Sequence, residues 1–338
     1  MRDTRIDFLR FVGLIMIIFA HVNPPALLFQ LRNFDVPLMV LISGVSFRLS
    51  VKNEPYIKYL WSRIQRLVFP VWIFLTLYFV LQFIISGPFE SEYLTTIVRT
   101  YLLIDGIGYV WIIRVFVLVA IIAPLIYSIH KRISSNFIFG LVLLFLYSIY
   151  EFVVYSMRAS ELGVLGVILK SFIFYTISYG LVFALGIRLP DFNKLDVVIC
   201  LFIITLVFFT LFVINWNHNS GWLPTQEFKY PPTSYYLSFA LMMAFVLYLA
   251  SERIMALCQQ VRLESLILFI GSNSIWIYLW HILYLQVFKS LDGFVSWYLS
   301  VLLSSILTTY LQVQLVQRVL EGVTDKAKKK LVRTLFTG

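Results

Sequence analysis

The sequence is poor in cysteine, histidine and charge. Cys200 sits inside an apolar stretch and Cys258 in a short polar link, so the two supply neither a disulfide framework nor a zinc-spaced cluster. Charged residues make up 13% of the 338, about half of what a soluble domain carries. No polar stretch is long enough for a separate globular unit. A Gly-rich nucleotide loop, a Cys-His pair and a heptad array are all missing, as is the Ala-x-Ala pattern of a cleaved leader. The first apolar segment therefore reads as a retained helix.

What is present is 60% apolar, with 31 Phe, 20 Tyr and 8 Trp. This predicts an all-α, polytopic membrane bundle of about ten spans, near 6–28, 34–50, 67–87, 107–129, 134–151, 162–187, 196–215, 235–251, 264–288 and 295–317. One integral domain is expected over 1–318, with a basic amphipathic tail over 319–338 lying on anionic lipid. The net charge of +10 does not point to nucleic acid, because Lys and Arg gather beside the ends of apolar segments. They collect in alternate links, such as that of Arg48, Lys52, Lys58, Arg63 and Arg66, which places both termini in the cytoplasm.

Ionisable groups inside apolar runs are expensive and mark candidate sites. The first run carries Asp7, Arg10 and His21. Eleven residues of helix bring Arg10 and His21 to within about 20° of one face and roughly 16 Å apart. In the second run Ser43 and Gly44 allow close approach of a ligand or, equally, of a neighbouring helix. Arg63 and Arg66 share a face of a short cytoplasmic helix, suited to phosphates but also to topology or lipid head groups. Trp111 reads as an interfacial anchor, and Arg114, one turn deeper, must snorkel, pair or face a polar cavity.

His130 reads as an ordinary solvated histidine in a tight inner turn. The outer link after Ile214 mixes amides with Tyr230, Tyr235 and other aromatics, a composition suited to a sugar and equally to an interface belt. In the ninth run Ser274, Tyr278 and His281 share one helix face, with Gly271 a turn before.

Taken together, four ordered motifs resemble the acyltransferase-3 group of integral membrane O-acyltransferases: "RIDFLRFVGLIMIIFAHV", "PLMVLISG", "RIQRLVFP" and "GSNSIWIYLWH". "KYPPTSYY" is similar to compact bacterial members with surface-polysaccharide functions. The sequence departs from the pattern in having Pro-Leu-Met-Val before Ser-Gly, and it lacks the hydrolase-like extension of longer members.

The resemblance implies a bacterial inner-membrane enzyme that takes an acyl group, usually acetyl, from cytoplasmic acyl-CoA to a sugar hydroxyl of a surface glycan or lipid-linked precursor, without a metal. It implies donor contacts from Arg10, Arg63, Arg66 and Ser43, and catalysis by His21 with Arg10 and Asp7. His281 is a second active-site group or a structural one. Tyr278, Arg114, Trp111, Tyr230 and Tyr235 are candidates for the acceptor side. A homo-oligomer is possible, and a transporter or flippase for a lipid-linked sugar is the alternative.

Overall fold

The computed structural model describes residues 3–104, 106–157, 166 and 168–337. The start of the sixth expected span at 162–165 and 167, with Arg158 and Glu161 in the link before it, lies outside the described residues. The helices, in chain order, are α1 (Thr4–Ala20), α2 (Ala26–Leu31), α3 (Asp35–Ser50), α4 (Tyr56–Leu67), α5 (Phe69–Ser86), α6 (Ser91–Tyr101), α7 (Trp111–Arg132) and α8 (Asn136–Met157). They continue with α9 (Phe174–Arg188), α10 (Lys194–Asn219), α11 (Ser234–Gln260), α12 (Glu264–Ser272), α13 (Ser274–Val287), α14 (Phe294–Glu321) and α15 (Lys326–Phe336). The all-α membrane class is what the structure has: among the described residues 8 helices are long and apolar enough to cross a bilayer, or 9 with one bent pair. The core is apolar, and so is much of the outer face. The most apolar window, in α10, is only 6% buried, so its Phe202, Ile203 and Leu206 face outward, as lipid contact requires.

Three expected spans change shape. The first does not run to residue 28: α1 stops at Ala20, because Asn23 takes φ +49 and Pro24 and Pro25 cannot continue the backbone ladder. Residues from Ala26 instead join α3 in one segment, Ala26–Ser50. The ninth breaks at Asn273 into α12 and α13, bent by 82°, so Gly271 is not on the straight helix that holds Tyr278 and His281. The third is preceded by α4, which meets α5 at Val68.

The chain gathers into two units, one holding the start through Gly13, Pro25–Asn53 and Leu118–Glu264, the other Leu14–Pro24, Glu54–Val117 and the rest from Ser265. In the first, α9 lies directly against α3 with backbones touching. A Cβ on Gly44 would stand 2.3 Å from the Phe183 carbonyl oxygen, and one on Gly186 2.0 Å from that of Leu41. Gly44 thus serves helix packing, one of the two uses its sequence left open.

Buried Arg188 fastens the turn between α7 and α8. It donates to Asn136 Oδ1 (2.6 Å) and the Ile133 carbonyl (2.6 Å), and also to the Ser134 carbonyl. His130 is not solvated: it is 4% exposed, with Nε2 3.3 Å from Asp191 Oδ2, since the turn folds back onto the end of α9.

In the second unit α13 packs on α14 and α5, and the basic tail is held by the protein. Trp276 Nε1 donates to the Leu335 carbonyl (3.0 Å) and Gln312 Nε2 to that of Phe336 (2.7 Å), while Trp280 Nε1 donates to Gln312 Oε1 (2.7 Å). The Asp325 side chain caps α15 by accepting from the Ala327 and Lys328 amides.

Candidate active site

The chain break after α1 is what presents His21. Its amide donates to the Ile18 carbonyl (3.0 Å), closing the last turn, and its ring leaves the helix end toward Tyr109 and His281. The Tyr109 ring meets it edge-on (5.0 Å, 77°) and the His281 ring lies nearly parallel (5.2 Å, 28°). His21 Nδ1 and His281 Nε2 are 3.2 Å apart. His281 is 0% exposed, and its Nδ1 bonds the Tyr278 carbonyl one turn back in α13. The Tyr278 hydroxyl donates to the Tyr109 carbonyl, tying α13 to the loop before α7. Two histidines 260 positions apart therefore form one hydrogen-bonded pair, set in place by two tyrosines.

The other candidates in this unit have separate tasks. Arg114 is 6% exposed and donates to the carbonyls of Leu103 and Ile104, so it shapes the α6–α7 link, where Leu103 takes φ +58. Half-buried Trp111 begins α7. Arg63 and Arg66 both lie on α4, Arg63 half-buried with its guanidinium 5.0 Å over the Tyr59 ring and Arg66 exposed.

In the first unit, Asp7 is 1% exposed and accepts from Arg10 Nη1 at 3.2 Å. The Arg10 Nη2 donates to Ser46 Oγ (2.7 Å), and that hydroxyl donates to the Ile42 carbonyl (2.7 Å). Sequence reading missed Ser46 and chose Ser43, whose hydroxyl donates to the Val40 carbonyl of its own helix (2.7 Å). The signal available was spacing: Ser46 is one turn further along α3 than Ser43.

Tyr235 is buried, its ring stacked on Phe208 (5.6 Å, 8°) and its hydroxyl donating to the Leu223 carbonyl (3.2 Å). Tyr230 is 53% exposed beside Lys229. Among the described residues no three His, Cys, Asp or Glu side chains come together as a metal site.

The family model of the acyltransferase-3 acyltransferase domain matches residues 3–313. The chain belongs to this family. No curated protein and no solved structure matches it. It is a multi-pass membrane acyltransferase.

For an acyltransferase the histidine pair has a definite chemical consequence. A carbonyl only accepts, so His281 Nδ1 carries the hydrogen that bonds Tyr278. With both rings neutral, His281 Nε2 is then a lone pair and accepts from His21 Nδ1–H. His21 is left with its lone pair on Nε2, the tautomer a general base needs.

Proposed function

We propose that this acyltransferase moves an acyl group, acetyl above all, from cytoplasmic acyl-CoA to a sugar hydroxyl of a surface glycan or lipid-linked precursor in a bacterial inner membrane. The observation that carries the reading is the chain of contacts from the Tyr278 carbonyl through His281 to His21, which supports a role for His21 Nε2 as the base. As the sugar oxygen bonds the thioester carbon, its proton passes to Nε2. The imidazolium is stabilised by its Nδ1–H bond to His281. When the tetrahedral intermediate breaks its C–S bond, the thiolate of CoA takes that proton, leaving an O-acyl sugar and free CoA.

General-base catalysis of this kind contributes about 10²- to 10⁴-fold, and holding donor and acceptor together supplies much of the rest. The family resemblance suggests donor-phosphate roles for Arg10, braced by Asp7 and Ser46 in the first unit, and, separately, for Arg63 and Arg66 on α4 in the second. On the acceptor side we assign Tyr278, whose ring lies 4.8 Å from that of His281.

Mass analysis of surface polysaccharide from cells with and without the gene tests this. The expected result is a mass difference equal to one acyl group per modified sugar, lost in His21→Ala at normal expression. An unchanged glycan in His21→Ala overturns it.

A further inference from the structure

Beyond residues 3–313, which the family model matches, lies a helix with no part in the reaction above, so family membership assigns it nothing. This tail helix, α15, belongs to the second unit and packs on α14, α4 and α5. The Asp325 side chain caps its start, and the carbonyls of Leu335 and Phe336 at its end accept from Trp276 and Gln312. The Phe336 ring stacks on that of Trp276 (6.2 Å, 11°), which is 2% exposed. A helix lying on a bilayer turns its apolar flank into the acyl chains. Here the end of that flank is engaged by protein, which fixes α15 to the second unit.

One face of α15 is a row of cations. Lys326, Lys329, Lys330, Arg333 and Thr334 are spaced i, i+3, i+4, i+7 and i+8, and they line an open groove of about 320 Å³. Lys326, Lys330 and Arg333 are exposed and Lys329 is half-buried; among the described residues none of the four cations forms an ion pair. Asp325, the acid next to them in the chain, is engaged by the amides of the first turn. The Thr334 hydroxyl donates to the Lys330 carbonyl (2.9 Å). Like charges three and four apart on a helix repel, so this face is favourable only to an anion that bridges them. Lys328 is exposed too but does not line the groove.

We propose that this groove holds the phosphate end of the acyl-CoA donor. A 3′-phosphate carries about two negative charges and a pyrophosphate about two more, so the row of cations matches them. Lysines offer point charges and Arg333 a planar fork, both suited to phosphate oxygens. Ligand sites run from about 300 to 1,000 Å³, so the groove has room for the phosphate end and not for the whole donor. The neighbouring α4 carries Arg63 and Arg66, and the charge bias places both helices on the cytoplasmic side. The inference rests on the acyl-CoA reading for the identity of its ligand.

The test is CoA binding to the full-length protein in nanodiscs of phosphatidylcholine alone and in nanodiscs that include phosphatidylglycerol. The double substitution Lys330→Gln and Arg333→Gln removes two exposed cations, so it should keep the thermal midpoint and weaken CoA about five- to twentyfold in both membranes. It should also raise the acyl-CoA KM with kcat unchanged. Added salt should weaken CoA binding more in wild type than in the double variant. Lys328→Gln, a loss of charge off the groove, should stay within about twofold of wild type. Wild-type CoA affinity in the double variant, or an equal loss in Lys328→Gln, overturns the proposal and leaves the acyl-CoA reading standing. Loss of bound phosphatidylglycerol from the double variant with CoA affinity unchanged makes the groove a lipid site and overturns it as well. If wild type binds no CoA in either membrane, the acyl-CoA reading falls and this proposal falls with it.

Discussion

Replacing His281 with Phe keeps a flat ring in a site that is 0% exposed but removes both polar ends of the relay. Two losses follow. His21 Nδ1 no longer has an acceptor that selects its tautomer, a hydrogen bond of about 0.5 to 1.5 kcal/mol. When His21 takes up the sugar proton, the bond from its charged ring to His281 is also gone, and hydrogen bonds to charged groups contribute about 1.5 to 3 kcal/mol. The second figure governs the transition state and corresponds to about a 10- to 150-fold fall in kcat. It affects a species formed only during reaction, so KM for the acceptor should barely move. His281→Gln, which offers a carbonyl at one end and an amide N–H at the other, should recover part of the rate. The assay is release of free CoA by purified protein over a range of acceptor concentrations. A kcat within about threefold of wild type in His281→Phe, with folding intact, refutes the relay.

Other parts of the account are open to equally plain tests. Gly44→Ala and Gly186→Ala each drive a Cβ into a backbone carbonyl of the facing helix, at 2.3 Å and 2.0 Å, and should each cost about 1 to 3 kcal/mol of stability, read as a lower thermal midpoint in detergent. Ser46→Ala removes the acceptor that steadies Arg10, worth about 1 kcal/mol, and should raise the acyl-CoA KM about fivefold, whereas Ser43→Ala should leave it within about twofold. Burial holds Lys229 at about 8, below its ordinary 10.5, with Asp35 pulling the other way. The unfolded chain therefore keeps this proton between those values while the folded chain has released it, so stability rises with pH across that window. The thermal midpoint of wild type relative to Lys229→Met should climb from pH 8 to 10, and a flat or falling difference contradicts the assignment.

The candidate residues were legible because ionisable side chains are rare in apolar runs. Asp7, Arg10, His21 and His281 stand out for that reason alone, and the spacing of Tyr278 and His281 placed them on one face of α13. Their partners were not legible. That His281 meets His21 depends on how segments 260 positions apart pack, which periodicity does not encode.

Rotation about α3 decides that Ser46 rather than Ser43 meets Arg10, and residue spacing does not encode that rotation. Other misses were readable. Pro24 and Pro25 mark the end of α1, and the Gly-Ser-Asn-Ser run marks the bend before α13. Arg32 and Asp35, spaced i, i+3 at the head of α3, form a buried ion pair. Lys229, from a link far along the chain, joins them through Asp35.

The central claim is that His21 is the base of an acyl transfer from acyl-CoA. The most direct measurement is the stoichiometry of free CoA and acylated sugar produced by purified protein given acetyl-CoA and a set of glycans. The account predicts one CoA per acylated sugar for wild type and a loss of about 10²- to 10⁴-fold in His21→Ala. Activity within tenfold of wild type in His21→Ala would contradict it, as would vesicles that take up a saccharide while no acceptor yields CoA.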